Sequence, residues 1–424
     1  MKNTRRLIIS ALTLLLIAAM MLTTFASCSA IIMQVKADNL MKGISAKAVS
    51  GKVVDDKFIN NTADFSIELF KKSIEEDKNS LISPLSVMLA LSMTANGADN
   101  ETLTQMQAVL GGDITIDELN EYLYTYVKNL SNEEKSKFKI ANSIWFRDDE
   151  GRLTVEKDFL QKNADYYNAA AYKSAFDNQT LSDINNWVNK NTDGMIDKIL
   201  DEIRDDAVMY LINAIVFDAE WKEIYNKDNI SEGIFNSYDG SKRNVEFMVS
   251  EESKYLEDSK ATGFIKPYVN DKYSFIAILP NEDVNINEYI NSMSGENFLN
   301  LLKSSENIAV NATMPKFSYD YKVTMNDILK EMGMPIAFDA GSADFNKLGK
   351  SSRGNIFIGD VLHKTFISVD ERGTKAGAVT KVEMRDESYV ETKNVKLDRP
   401  FVYAIIDNST NLPIFIGMVM DIQG

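Results

Sequence analysis

Residues 371–384 read Glu-Arg-Gly-Thr-Lys-Ala-Gly-Ala-Val-Thr-Lys-Val-Glu-Met. From Thr374 onward every second residue is small or apolar, up to Val382 and Met384, whereas the intervening residues are mostly charged. A period of two is typical of a half-buried β-strand, because successive side chains point to opposite faces. A Gly-Thr pair precedes this alternation, however, and a polar, charge-rich run follows it. The stretch is therefore predicted to be a loop that carries the side-chain pattern of a strand.

The pattern Glu371-x-Gly373-Thr374-x-Ala376-x-Ala378 resembles the inhibitory hinge in the reactive-centre loop of serpins, the serine protease inhibitors. The resemblance implies that a target protease attacks the loop and forms an acyl-enzyme. The loop, expelled from the main sheet until then, inserts into it as a new strand and carries the protease along. Small inward side chains at the hinge are required for that insertion. Taken alone, the residues also fit an ordinary amphipathic edge strand.

Other serpin motifs follow in order along almost the whole chain. Ser83-Pro84 opens an apolar helix, in which Ser83 is expected to cap the free amides and Pro84 to take the first helical position. A near-continuous apolar run at 209–217 predicts a strand covered on both faces. The resemblance implies an α+β serpin fold, with a large mixed main sheet and smaller sheets surrounded by helices. The matching segments are 79–98, 141–146, 184–188, 192–196, 211–217, 314–317, 363–364, 400–401 and 413–417.

The 424-residue chain is expected to fold as one large domain, since no linker-like or low-complexity tract divides it. Residues 1–27 contain basic residues, an apolar run and then small residues, which is typical of an export signal peptide. A transmembrane anchor is the alternative, although the run is somewhat short for one. Residues 28–54 are assigned to an N-terminal anchor or linker and 55–424 to the serpin domain, with the reactive-centre loop at about 371–397.

Cys28 is the only cysteine, and it follows Phe-Ala-Ser in a segment that resembles a bacterial lipobox. In a lipobox the cysteine becomes the lipidated first residue; the first position is usually Leu, and Phe25 departs from that pattern. The protein is therefore predicted to be lipid-anchored on the outer face of the cell membrane, with plain secretion as the alternative. A single cysteine also excludes internal disulfides.

Charge and composition exclude several other functions. The net charge is −16, and removal of residues 1–27 would take away three cations and no acid. Such a field repels phosphate backbones, so nucleic acid is not expected as a partner. One histidine and one cysteine do not supply a zinc site of the usual kind, and no metal or cofactor is expected. Gly349-Lys350-Ser351 imitates the end of a phosphate loop, but Asp344 replaces the glycine required earlier.

His363 is the only histidine and therefore the first candidate for a catalytic base. No Gly-x-Ser-x-Gly elbow accompanies it. The resemblance instead places His363 with Ser83, Ser86 and Asn213 in the shutter, a polar cluster beneath the main sheet that holds the strands together and lets them part. A buried hydrogen-bonded network suits that task. No enzymatic activity is expected, and a surface hydrolase that uses His363 is the distant alternative.

The resemblance, counted by the commonest family spacing, places the scissile bond between Glu387 and Ser388. Met384, Arg385 and Tyr389 are alternatives, because the segment after the hinge is slightly longer than in many serpins. Glu387 predicts a glutamyl endopeptidase as target, Arg385 a trypsin-like, Tyr389 a chymotrypsin-like and Met384 an elastase- or subtilisin-like protease. The expected function is irreversible suicide-substrate inhibition of extracellular serine proteases by a monomer. A non-inhibitory serpin-fold binding protein is the alternative.

Overall fold

The computed structural model describes residues 35–130, 135–374 and 392–422. Within these ranges the helices are α1 (Asp56–Ser73), α2 (Pro84–Ala95), α3 (Asn100–Gly111), α4 (Ile116–Asn129), α5 (Lys157–Tyr167), α6 (Asn178–Asn191), α7 (Ile286–Ser292), α8 (Gly295–Lys303) and α9 (Asn326–Met332). The strands are β1 (Asp38–Asn39), β2 (Ser80–Ile82), β3 (Ser136–Arg147), β4 (Leu153–Val155), β5 (Ala170–Ser174), β6 (Met209–Glu220), β7 (Ile230–Asn236), β8 (Lys242–Glu252), β9 (Tyr255–Glu257), β10 (Ala261–Pro267), β11 (Tyr273–Pro280), β12 (Ala309–Pro315), β13 (Phe317–Thr324), β14 (Gly349–Ser351), β15 (Asp360–Val369), β16 (Gly373–Thr374), β17 (Thr392–Lys396), β18 (Phe401–Asp407) and β19 (Pro413–Val419).

The main sheet has the strand order β1-β5-β3-β6-β16-β15-β13. It is mixed, because β3 and β6 run antiparallel whereas β6 and β15 pair in parallel. The smaller sheets have the orders β2-β19-β18-β11-β10-β9, β17-β12-β8-β7 and β14-β4. This architecture confirms the predicted α+β class with a large mixed main sheet.

Strand β6 occupies the centre of the main sheet, as the apolar run at 209–217 predicted. All residues of that run are buried, because β3 and β15 flank the strand and α2 packs against it. Phe217 lies edge-on to Tyr273 of β11 and Phe415 of β19, so the core continues from the main sheet into the six-stranded sheet. Helix α2 is buried along its whole length and begins with Pro84 in its first turn, as predicted.

The segment 36–54 precedes α1 and lies against the same body. Strand β1 pairs with β5 at the edge of the main sheet. The buried carboxylate of Asp183, on α6, accepts hydrogen bonds from the backbone N–H groups of Lys36 and Ala37 at 2.9 and 2.7 Å. The predicted signal peptide and Cys28 lie outside the described residues, and the predicted domain limits remain predictions. No helix in the part of the chain that the structure describes is both long and apolar enough to cross a membrane.

Candidate functional site

The predicted shutter residues meet where β6 and β15 pair in parallel. Asn213 and His363 are direct partners across that junction, and Nδ1 of His363 lies 2.9 Å from Oδ1 of Asn213. Nε2 of His363 accepts a hydrogen bond of 3.1 Å from the backbone N–H of Ser83, just before α2. The proton of the neutral ring therefore sits on Nδ1 and is donated to Asn213. The two strands and the start of α2 are thus tied together at one point.

Asn213 extends this network to the next strand of the sheet. Its Nδ2 donates to Oδ1 of Asn142 at 2.6 Å and to the backbone carbonyl of Ser86. Asn142 lies directly opposite Asn213 in β3, so Asn142, Asn213 and His363 form a polar row across three neighbouring strands. The sequence analysis did not single out Asn142. The sequence feature that could have indicated its role is that Asn142 is uncharged and polar, yet lies just before the apolar residues 144–146 of the same strand.

Ser83 and Ser86 contribute to the network through their backbones. Their hydroxyl groups are fully buried and make no hydrogen bond to any residue that the structure describes. The predicted capping of α2 by the Ser83 side chain is therefore wrong. The backbone N–H of Ser83 is bound to His363, so β15 helps to fix the orientation of this residue, and Pro84 leaves one amide fewer to cap.

The environment of His363 does not suit a catalytic base. The side chain is fully buried, and both ring nitrogens are engaged by Ser83 and Asn213. Burial lowers the pKa of His363 from 6.5 to about 3, so the ring is neutral at neutral pH. A base needs a free nitrogen within reach of a substrate, and neither nitrogen meets that requirement.

The stability of the protein is expected to fall as the pH is lowered from about 6.5 toward 3. In this window the unfolded chain protonates His363 while the folded chain excludes the proton, because the pKa of the folded state is lowered to about 3. Folding stability contributed by this group is present above the unfolded pKa and is lost on acidification, at up to about 1.4 kcal/mol per pH unit. Thermal unfolding of wild type and His363→Gln should be compared at several pH values. An equally steep acid dependence in both proteins would contradict the expectation.

The hinge begins inside the main sheet. Strand β16 lies between β6 and β15, with Thr374 opposite Ala219 on one side and Val369 on the other. The expectation of a wholly expelled loop is therefore wrong for Gly373 and Thr374. Glycine is required at 373, because a Cβ atom there would lie only 2.0 Å from the carbonyl oxygen of Ala219. Thr374 is buried, and its hydroxyl lies 2.6 Å from that of Tyr268.

Between the hinge and the shutter the two central strands diverge. They pair with β16 at Ala219 and Val369 and with each other again at Ala214 and Lys364. Residues 215–218 and 365–368 lie between these paired ends. A strand that continues from Thr374 would enter the sheet there. The lining of a small cavity at this position is formed by Met195, Ile196, Ile215, Val216, Phe217, Phe366, Ile367, Ser368 and Thr374.

Glu371, at the start of the hinge, is held by an ion pair that the sequence analysis missed. Its Oε2 lies 2.8 Å from Nζ of Lys316, in the connection between β12 and β13. The hydrogen bond from Lys316 lowers the pKa of Glu371, and Glu246 also binds the same ammonium at 3.0 Å. The start of the hinge is thereby tied to the turn between two strands of different sheets.

Most of the predicted loop falls outside the part of the chain that the structure describes. Ala376, Ala378 and the candidate cleavage residues Met384, Arg385, Glu387, Ser388 and Tyr389 lie outside the described residues. The chain is described again from Thr392, where β17 pairs in parallel with β12. The two ends of the loop therefore lie in different sheets, one in the main sheet and the other in the four-stranded sheet.

Comparisons with known proteins point in one direction. A family model described as Serpin (serine protease inhibitor) matches residues 60–422. The chain is 28% identical over 381 residues to human neuroserpin, covering 84% of this chain and 90% of neuroserpin. It is 58% identical to the thermophilic serpin tengpin. The native state of tengpin matches with a TM-score of 0.89 over 92% of this chain and 100% of tengpin, and the latent state with 0.79 over 88% and 100%.

A structure of thyroxine-binding globulin in complex with thyroxine also matches, with a TM-score of 0.77 and 23% identity over 87% of this chain and 100% of that one. At that identity the likeness shows the fold alone. The same architecture thus occurs in a family described as serine protease inhibitors and in a protein that binds thyroxine. The fold alone does not distinguish an inhibitor from a binding protein, so the residues of the hinge are needed for that distinction.

Proposed function

Because the chain belongs to the serpin family, we propose that it is an irreversible suicide-substrate inhibitor of extracellular serine proteases. Serpins are generally protease inhibitors rather than catalysts. The observation that carries the proposal is the position of Gly373 and Thr374, which already form a short strand between β6 and β15. A loop that starts inside the sheet needs only to extend along the strand direction in order to insert.

The proposed reaction begins as ordinary proteolysis. The serine hydroxyl of the target attacks the carbonyl of the residue before the scissile bond, an ester forms and the peptide bond breaks. Glu387–Ser388 is the proposed bond, with Met384, Arg385 and Tyr389 as alternatives. The freed loop then extends from Thr374 between residues 215–218 and 365–368, still attached to the protease through the ester. The protease travels with the ester along the sheet, and the proposed trap requires that insertion be faster than hydrolysis of this ester.

The energy for this movement comes from completing the sheet. A newly inserted strand would make on the order of ten backbone hydrogen bonds, each worth about 1 kcal/mol net. Burial of the inward series adds about a few kcal/mol more. That sum is comparable to the whole stability of a typical domain, about 5–15 kcal/mol. The protein before cleavage is therefore proposed to be metastable.

The shutter fits the same proposal. Separation of β6 from β15 breaks the bond between Asn213 and His363, whereas the bond from Asn213 to Asn142 and that from Ser83 to His363 need not break. Each strand would keep a polar partner while the gap widens, which limits the cost of unsatisfied buried groups. The shutter is thus proposed to hold the sheet closed below the hinge until the loop arrives.

A non-inhibitory binding protein of the same fold is the second candidate. The likeness to thyroxine-binding globulin keeps it open, since a serpin fold does not by itself imply insertion. The inward hinge residues favour insertion, because Thr374 is already accommodated in the sheet and the sequence continues with Ala376 and Ala378. Formation of a covalent complex decides between the two.

The proposal is tested by incubating the chain without residues 1–28 with glutamyl endopeptidase, trypsin, chymotrypsin, elastase and subtilisin. Denaturing gels and intact mass spectrometry should show a complex that survives denaturation, and the mass of the released peptide locates the scissile bond. Clean cleavage in the loop by all five proteases, without any complex, would favour the non-inhibitory candidate.

Export and lipid anchoring through Cys28 belong to the same proposal, with action as a monomer at the cell surface. In a bacterial host that processes lipoproteins, the protein is expected in the membrane fraction, and Cys28→Ser is expected to abolish lipidation, because the thiolate is the acceptor. Fractionation and intact mass of the mature protein measure this. An unlipidated wild-type protein in the medium would instead indicate plain secretion.

A further inference from the structure

A buried ion pair lies behind the hinge. Nζ of Lys266, on β10, is 2.7 Å from Oε1 of Glu252, at the end of β8. The two side chains are only 2% and 7% exposed. A buried ion pair is weak support for stability, because removing both charges from water costs about as much as their attraction returns. A contribution to stability therefore does not explain why an ion pair is buried next to the hinge.

The ammonium group of Lys266 is enclosed by two aromatic rings. It lies 4.4 Å from the ring centroid of Tyr225 and 5.5 Å from that of Trp221. The carboxylate of Glu252 also accepts a hydrogen bond of 2.6 Å from Ser250, whose hydroxyl is 3.2 Å from that of Tyr225. Burial opposes the charge on Lys266, but Tyr225 and Glu252 outweigh it and raise its pKa. The cation thus contacts both rings, and its counter-ion is linked to Tyr225 through Ser250.

The same two aromatic residues bind the chain that leads into the hinge. The backbone N–H of Tyr225 donates to the carbonyl of Glu371 at 2.9 Å, and that of Trp221 donates to the carbonyl of Arg372 at 2.8 Å. The indole Nε1 of Trp221 donates to the carbonyl of Asp370 at 2.9 Å. Three consecutive carbonyl groups, of residues 370–372, are therefore held by two residues that both contact Lys266.

A chain of contacts links Trp221 to Thr374, the residue at which the loop enters the sheet. Trp221 stacks on Tyr268 with ring centroids 4.5 Å apart, and the Tyr268 hydroxyl is hydrogen-bonded to that of Thr374 at 2.6 Å. Thr374 in turn lies opposite Ala219 and Val369 in the sheet. The position of residues 370–372 therefore determines which residue of the loop stands at the start of the new strand.

That choice decides the outcome of insertion. In the observed register Thr374 is buried, so Ala376 and Ala378 would follow it on the inward face. A shift of one residue would turn the other series inward, beginning with Lys375, because side chains alternate strictly along a strand. Burial of an unpaired lysine would stop insertion. The structure must therefore hold the register before the loop is cut.

We propose that Lys266, held by Glu252, is a positioning residue that sets the register of loop insertion by fixing Trp221 and Tyr225 against the carbonyls of residues 370–372. The inference rests on the proposed inhibitory function and adds a determinant of its efficiency. A buried charge suits the task, since an ammonium cannot follow a displaced ring without losing its partners. Buried polar and ionic groups are best attested in this role, where they select one register over another.

The test compares wild type with the double variant Lys266→Met/Glu252→Gln, called the neutral pair because both charges are removed. This pair removes the buried charge without leaving an unpaired carboxylate, and methionine keeps a long apolar side chain against the rings. The rate of attack on the loop should not change, but the ratio of cleaved to complexed inhibitor should rise about ten-fold, as expected for the loss of one strong hydrogen-bond network. A ratio equal to that of wild type would overturn the inference.

Two controls separate register from general stability. Lys222→Met with Asp271→Asn removes an exposed ion pair of 2.7 Å in the same region and should leave the ratio unchanged. Lys266→Arg restores a cation next to Glu252 and the rings and should restore the ratio. A ratio that rises as much in either control as in the neutral pair would show that the charge of Lys266 is not the cause.

A failure of the proposed function itself has a different signature. A wild-type protein that forms no complex with any protease and gains no thermal stability after loop cleavage would refute inhibition and, with it, this inference. If wild type and the neutral pair both form complexes and both gain thermal stability after cleavage, to the same extent, the positioning role alone is refuted. Thermal unfolding of each uncut variant completes the comparison, because a purely structural role would lower the melting temperature and leave the ratio unchanged.

Discussion

Thr374→Arg is expected to convert the protein from an inhibitor into a substrate that is cleaved and released. Thr374 is 3% exposed and stands between Ala219 and Val369, with its hydroxyl on Tyr268. An arginine there would lack a counter-charge, so the hinge of the uncut variant is expected to leave the sheet, and insertion would then have to bury the charge at a cost of several kcal/mol or more. A cost of about 3 kcal/mol would slow insertion by about two orders of magnitude, so hydrolysis of the acyl-enzyme would overtake it. Denaturing gels measure how much covalent complex the variant still forms with the protease that gives the most complex with wild type.

The matched control for this variant is Thr374→Ser, which retains the hydroxyl and a small side chain and should still form complexes. Ala376→Glu, one step further along the same inward series, should act as Thr374→Arg does. Lys375→Ala lies in the outward series and should have little effect. Stable protease-linked complexes in Thr374→Arg would show that the loop does not insert through this position.

The sequence predicted best where a pattern is local. The apolar run at 209–217 became the central strand β6. The serpin architecture followed from many ordered motifs. In the apolar run the physical cause, continuous burial, acts between residues close together in the chain.

The features that the sequence analysis missed all depend on distant partners. Asn142 joins the shutter only because β3 aligns it with Asn213. Lys266 and Glu252 look like two ordinary surface charges until β8 and β10 bring them together out of water. The insertion of Gly373 and Thr374 likewise depends on contacts with residues far away in sequence. Register and burial of single polar groups are set by tertiary packing, which no local pattern contains.

Cleavage of the loop is expected to raise the thermal stability of the protein greatly. Once the loop is cut, the chain after Thr374 can extend between β6 and β15 and complete the main sheet. On the order of ten new hydrogen bonds at about 1 kcal/mol each would add about 10 kcal/mol. For a chain of this size, that corresponds to a rise in melting temperature of roughly 10 °C. Calorimetry before and after limited proteolysis gives the shift.

This measurement is informative even if the physiological protease is never found, because any enzyme that cuts the loop well beyond the hinge and before Thr392 frees a strand that starts at Thr374. Thr374→Arg supplies the internal control: its loop should be cut equally well, yet the cut protein should gain little stability, since the first buried position rejects arginine. An equal gain in both proteins would mean that stability comes from relaxation elsewhere rather than from the new strand. No gain in wild type would leave a serpin fold with a loop that does not insert, and would favour the binding-protein candidate over the inhibitor.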